Sequence, residues 1–418
     1  MAINAKDSSF IRRETTANDT QSRLIRTLCK LWGEHSQAEI SVRMVAREAE
    51  ASVSAIDYHF GSLEQLFAHA QNVALQRASD WMDGVFNELR DYPLADLPLT
   101  ARASLLAALI EQWTGEQRPL ALAWREAHAA ALAQPDHFGP HLEWTALWRR
   151  FWTRLCSECR FGDNPELLWL FFDGEASQHL IRWHSLLDRA LLDETALALL
   201  QFAYAPCRPS SAVRIGYQDL AERDYRLVFG AKEEFTPIDD AAAALLSESG
   251  LASLTFRSVA HRARTTLGAV SYHFGSKSKM LRLALQRIYE GNSGKPTLEQ
   301  IDAMPSDPRE AKQSVIHSVI GGTNPLLRAL DEIILNLSRG ESDKALGGVI
   351  RGFRDPVGEG VLRKLLGTAE LVSPALVAVL SSVIRGFGHC SAGMAREDAV
   401  ALGDKAFGVF VIEERNPA

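Results

Sequence analysis

The chain has 418 residues, 46% hydrophobic and 23% charged, a length and balance that predict a globular protein of two or more domains. No run of about 18 uncharged apolar residues occurs, which excludes a membrane-spanning helix. The polar first 20 residues lack a secretory core, and five cysteines form no disulfide framework, so a cytoplasmic protein is expected. The net charge of −7 argues against nucleic acid as a partner until its distribution is considered. Residues 1–210 carry 20 Lys+Arg against 27 Asp+Glu, whereas 211–418 carry 25 of each. All nine tryptophans, Trp32 to Trp183, lie in the first half.

In chain order, residues 1–20 read as a flexible arm containing Arg12-Arg13, and 21–70 as a compact head of short helices. Leu24, Leu28 and Leu31 share one stripe of a first helix over about 22–35. A second helix opens at Ser41, whose hydroxyl suits a helix start, and turns Val42, Val45, Ala46 and Ala49 inward. A third opens at Ser52, with Ile56 and Phe60 inward at i, i+4, and Gly61-Ser62 ends it.

The same pattern returns. Ser41–Phe67 (SVRMVAREAEASVSAIDYHFGSLEQLF) aligns without gaps to Thr255–Leu281 (TFRSVAHRARTTLGAVSYHFGSKSKML) at an offset of 214, with ten of 27 positions identical. The unbroken Tyr-His-Phe-Gly-Ser occurs at 58–62 and at 272–276. In the second copy Phe256, Val259, Ala260, Ala263, Val270 and Phe274 take the inward places, and its first helix covers about 238–249.

A short helix, a tight turn and a second helix with small polar residues outward is a helix-turn-helix pattern. Both segments resemble the DNA-binding heads of TetR-type transcriptional regulators, and the long helical stretches after each head match that family in character. The resemblance implies an all-α fold of two fused TetR-like units, each a head plus a helical ligand and dimerisation body. The boundaries are 21–70 and 71–205 for the first unit, a linker at 206–236, then 237–285 and 286–418 for the second.

By that resemblance Ser41 and Thr255 touch DNA phosphate, as do Tyr58, His59, Tyr272, His273 and Lys277. Base reading falls to Ser52, Val53, Ser54 and Asp57 (residues 52–55 and 57) in the first copy. In the second it falls to Thr265, Thr266, Leu267 and Ser271 (265–269 and 271). Two departures stand out: Leu63 replaces a lysine at the start of the fourth helix, and Asp57 and Ser271 stand where the family often has tyrosine. The copies also differ in charge. The first 27-residue window has two arginines against Glu48, Glu50, Asp57 and Glu64, net −2; the second has five cations and no acid, net +5. Phosphate neutralisation supplies most non-specific affinity, so the second head is the better equipped.

After the first head, residues 100–133 and 141–160 read as helices carrying Trp113, Trp124, Trp144, Trp148 and Trp152, the last three on one face. They read either as core or, since the family binds effectors among these helices, as the wall of a pocket for an apolar or aromatic ligand. Two helix pairs, about 165–183 with 187–204 and 374–394 with 396–412, would form the family's four-helix dimer interface. Phe171, Phe172 and Leu180 would pack there from one side, and Val377, Leu380, Val383 and Ile384 from the other. In the linker, Pro206, Pro209, Ser210 and Ser211 break the helix before a short one at 219–228.

No cofactor, metal or enzymatic site is expected. Cys156 and Cys159 lack a second ligand pair, Gly291–Lys295 is too short for a phosphate loop, and Gly358-Glu-Gly360 lacks a third glycine. The expected protein is a repressor with double-stranded operator DNA and a small effector as partners, paired internally or as a homodimer, with no membrane. The competing expectation is a ligand-sensing or protein-interaction module whose first head no longer binds DNA.

Overall fold

The computed structural model describes residues 19–133, 139–181, 183–230, 234–292, 301–322, 324–339, 344–352 and 355–412. Among them every regular element is a helix. The expected arm with Arg12-Arg13, and most of Gly291–Lys295, lie outside these residues. Packing divides the chain into two units, 1–88 with 117–147 and 89–116 with 148–418. This division does not coincide with the linker at 206–236.

In the first unit, α1 (19–31) buries Leu24, Leu28 and Leu31. It is followed by α2 (Val42–Glu48) and α3 (Val53–Phe60). Next, α4 (Leu63–Leu89) buries Leu66, Ala70, Ala74, Ala78, Met82 and Val85, a stripe at helical spacing. Gln71 is buried on that stripe because it is paired: its amide donates to the Ala123 carbonyl at 3.0 Å and accepts the Trp144 indole N–H at 2.9 Å.

The stretch expected to be helical over 100–133 is two helices, α5 (Leu99–Thr114) and α6 (Arg118–Ala133). Gly115 ends α5; a Cβ there would lie 2.8 Å from the Glu111 carbonyl oxygen. After α7 (Gly139–Cys159), Asn164 caps α8 (Pro165–His179) by accepting from the Leu167 amide at 2.9 Å. α9 (Ser185–Tyr204) completes the first closing pair.

The linker is more ordered than its prolines suggest. α10 (Ala212–Phe229) is an 18-residue helix, longer than the expected 219–228. Tertiary bonds hold it: Glu194 accepts from the Val213 and Arg214 amides at 2.8 and 3.0 Å, Tyr217 donates to the Gly348 carbonyl at 3.0 Å, and Asp224 accepts from Trp183 at 3.3 Å.

The second head is α11 (Pro237–Ser249), α12 (Phe256–Arg262) and α13 (Leu267–Phe274), then α14 (Lys277–Asn292). Beyond it come α15 (Pro308–Val319), α16 (Pro325–Arg339), α17 (Lys344–Gly352) and α18 (Asp355–Leu366). The chain closes with α19 (Pro374–Cys390) and α20 (Arg396–Phe407).

α8 packs on α19, with α9 and α20 alongside, so the two expected closing pairs meet within one chain and one unit. Phe171, Phe172, Leu180, Val377, Leu380 and Val383 are all buried, while Ile384 is half-buried. A charged cluster joins α8 and α19 to α16. His389 Nδ1 and Nε2 lie 2.6 and 2.7 Å from carboxylate oxygens of Asp173 and Asp331, and Arg385 bonds Asp331. Burial works to lower the His389 pKa, but the flanking carboxylates of Asp331 and Asp173 outweigh it and raise it. The two carboxylates balance two cations, so the cluster is buried with its charge compensated.

Candidate nucleic-acid interface

The second and third helices of the two heads have matching bounds at the 214-residue offset, whereas α1 (19–31) and α11 (Pro237–Ser249) are displaced from it by four residues. α2 and α3 span 42–48 and 53–60; α12 and α13 span 256–262 and 267–274. The tight turn between each pair contains one non-glycine residue in the left-handed region, Glu50 (φ 49°) and Arg264 (φ 52°). Gly61 and Gly275 end the third helices at φ 79° and 70°, where a side chain would be strained. Ser62 and Ser276 hydroxyls then accept the Gln65 and Lys279 amides, starting the next helix.

The cap residues behave as their hydroxyls dictate. Ser41 accepts from the Met44 amide at 3.3 Å and Thr255 from the Ser258 amide at 3.1 Å. Thr266 accepts from the Ala269 amide at 3.2 Å, whereas Ser52 makes no such cap and bonds the Ser54 hydroxyl at 2.9 Å.

The outward faces of α3 and α13 gather most of the expected DNA-contacting residues. Tyr58 and Tyr272 are 81% and 94% exposed, and Val53 and Leu267 are 46% and 48% exposed. Large side chains left this bare have no role in the core. Ser52, Ser54, Asp57, Thr266, Ser271 and Lys277 are exposed beside them, with Thr265 half-buried. Ile56, Phe60, Val270 and Phe274 lie inward.

The histidines differ. His273 Nε2 donates to Asp239 at 2.7 Å, and Asp239 also closes the capping box of α11, accepting from the Thr236 amide at 2.9 Å. One buried carboxylate thus ties the start of α11 to the end of α13. In the first head the position of Asp239 is held by Ile25, and His59 packs edge-on to Tyr58 at 4.9 Å instead. Asp239 escaped sequence reasoning, although the spacing Thr236-x-x-Asp239 was its signal. Each head also holds one arginine on a glutamate: Arg262 donates two hydrogen bonds to Glu248 at 2.6 Å, and Arg47 two to Glu48 at 3.1 Å. Arg257 and Arg264 remain exposed on the second head.

The tryptophans fall into two groups. Trp124 stacks on Trp144 at 6.2 Å in the first unit. Trp113, Trp148 and Trp152 pack in the second unit, with Trp148 and Trp152 bracketing Phe172 at 4.6 and 5.5 Å. None of the five is more than 1% exposed.

Cys156 and Cys159 are poor ligand or nucleophile candidates, since burial pushes both thiols up, Cys156 to about 12. Among the described residues no helix is long and apolar enough to cross a membrane.

Residues 238–284, which hold most of α11 to α14, match the family described as bacterial regulatory proteins, tetR family. No curated protein matches the chain. The family match supports a TetR-type, DNA-binding regulator of transcription.

Proposed function

We propose that the chain is a tandem TetR-type repressor, with two heads on one polypeptide, released from operator DNA by a small effector. The observation that carries this reading is the pair of exposed tyrosines, Tyr58 and Tyr272, on helices of equal length at equal places in two matching heads. Tyr58, His59, Tyr272, His273, Lys277 and the hydroxyls of Ser41 and Thr255 hold phosphate. Ser52, Val53, Ser54 and Asp57, with Thr265, Thr266, Leu267 and Ser271, read bases. Val53 and Leu267 suit the thymine methyl group.

The closing helices α8, α9, α19 and α20 do within one chain what two subunits of the family do between chains, so the working form is an internal pseudo-dimer. Two unlike heads then fit an asymmetric operator. The tryptophan-rich first body favours an apolar or aromatic effector. Because those rings are packed on one another, such a ligand must part them, and it releases DNA only by preferring the DNA-incompetent state.

A second reading has its own support: Ile25 in place of Asp239, Leu63 in place of Lys277 and a charge of −2 suit a first head that no longer grips DNA. Salt-dependent titration of promoter fragments separates the two. A two-headed clamp gives about twice the salt slope of a single head, and a chain with no measurable slope overturns both.

A further inference from the structure

A polar cavity of about 30 Å³ lies in the second unit, between the end of α8, α9, the linker helix α10, α17 and α19. Its charged lining is Glu175, Arg214 and Arg351, with Gln178, Tyr217 and Ser382 beside them. Most of these groups are already engaged. Glu175 takes the Ser382 hydroxyl and lies 3.2 Å from His179 Nε2. Burial would raise the Glu175 carboxyl, but those bonds and the charges of His179 and Arg214 hold it at about 2, so it is a carboxylate. Tyr217 is spent on the Gly348 carbonyl, and Arg214 Nη2 donates to Thr195 at 2.9 Å. Arg351, with a side chain 10% exposed, bonds Asp188 and the carbonyls of Gln178 and Ile181.

Two donors are left over. Arg214 Nε and Arg351 Nε are both buried and, like Nε of Arg23, Arg102 and Arg385, meet no acceptor among the described residues; these two share one cavity. Buried guanidinium N–H groups are seldom abandoned, and two of them on one cavity point to an acceptor that the chain does not supply. Arg214 and Arg351 stand against Glu175 and Asp188, so the carboxylates present already have cationic partners. The two groups left over are N–H donors, which repel a cation and call for an acceptor. A phosphate would bring a second charge against Glu175. A carboxylate is planar, carries one charge and offers two acceptor oxygens.

We propose that this cavity binds the carboxylate group of a small organic acid, held by Arg214 Nε and Arg351 Nε. None of Trp113, Trp124, Trp144, Trp148 and Trp152 lines the site, and it does not rest on the DNA-binding reading. It joins the linker helix to the closing helices, so a bound acid fastens α10 against α8, α17 and α19. Trp183 stands at its edge, 4.8 Å from the Tyr217 ring and with the Arg351 guanidinium 6.0 Å away, and gives the site an optical reporter.

The test titrates the full chain with formate, acetate and propionate in a carboxylate-free buffer at fixed ionic strength, followed by calorimetry and tryptophan fluorescence. Acetamide serves as the neutral isostere. Saturable binding of one acid per chain is expected, at least tenfold tighter than acetamide, with the fluorescence change lost in Trp183→Phe. Arg214→Gln should weaken binding at least tenfold. If that variant does not fold, Arg214→Lys carries the test, with the same loss expected because lysine keeps the charge but lacks the Nε donor. No saturable binding, an equal response to acetamide, or unchanged affinity in the Arg214 variant means the cavity holds water only, and overturns the proposal.

Discussion

Gly174 and Gly386 are reciprocal partners in the closing bundle. A Cβ on Gly174 would lie 2.0 Å from the Ser382 carbonyl oxygen, and one on Gly386 would lie 1.9 Å from that of Leu170. Each glycine therefore rests on the residue four before the other. Such reciprocity is what a two-fold axis between α8 and α19 produces. The glycines are 212 apart (386 − 174), two short of the 214 between the heads (272 − 58), so the exchange relates neighbouring and not identical places at that offset.

Adding one carbon at this crossing should be costly, because both obstructing atoms belong to backbone and cannot rotate away. Gly386→Ala is expected to destabilise the second unit by about 3 kcal/mol or more, the upper end for overpacking. Gly84→Ala on α4 is the control: a Cβ there meets nothing within 4 Å, and a gain of about 0.5–1 kcal/mol is expected from reduced freedom of the unfolded chain. Thermal denaturation of the two variants checks this, and similar midpoints would mean that the crossing can spread at little cost.

The heads were legible in the sequence because their helices are short, capped by Ser41, Thr255 and Thr266, and ended by glycines that local rules recognise. The alanines and i, i+4 apolar pairs also fixed which faces turn inward. Long-range chemistry was not legible. Nothing local to His389 says that Asp173, 216 residues earlier, will meet it, nor that Glu194 will cap the linker helix. Pro206 and Pro209 did mark a break, but it ends at Ser211, and the helix after it follows from tertiary bonds that no window of sequence contains. The tryptophan spacing predicted one helix face correctly, yet could not distinguish rings packed on rings from rings lining a space.

The charged cluster gives stability a pH dependence of known sign. The folded-state pKa of His389 is raised above its ordinary 6.5, so its contribution is complete below that value and fades as pH rises through the folded pKa. Unfolding free energy should fall on the alkaline side of neutrality, and His389→Gln should flatten this decline. The variant should also lose about 3–5 kcal/mol at pH 6, since it leaves Asp173 and Asp331 with less compensation. Urea melts between pH 6 and 9 decide the matter; parallel curves for the two proteins would show that His389 does not titrate in that range.

If α8 and α19 close the pairing internally, the surface that family members use to dimerise is already occupied. The chain should then sediment as a monomer of 46.2 kDa, and binding to an operator should add one chain per site. Light scattering of the free and DNA-bound protein measures this. A mass twice as large at low micromolar concentration would assign pairing to another face and give four heads per assembly.

The two heads should contribute unequally to affinity. Tyr272→Ala with Lys277→Ala removes one exposed phosphate-directed group and one cation from a head carrying +5. Tyr58→Ala with His59→Ala weakens a head carrying −2, in which Arg47 is already drawn to Glu48. Each lost phosphate contact lowers the slope of log K against log salt by about 0.9, so the first pair of changes should cost more affinity and more slope. The pairing of Arg262 with Glu248 moderates this difference without reversing it, since Arg257, Arg264, Lys277 and Lys279 stay exposed. Asp57 is the sharpest probe of the acidic head because it is exposed on α3 beside Tyr58. Asp57→Asn removes a charge that opposes phosphate and should raise affinity several-fold at low salt, with the gain shrinking as the screening length falls from about 30 Å at 0.01 M to about 8 Å at 0.15 M. Titrations of an operator fragment at four salt concentrations test both statements. Equal losses for the two head variants, with no response to Asp57→Asn, would mean that Asp57 points away from the backbone and that both heads grip the operator alike.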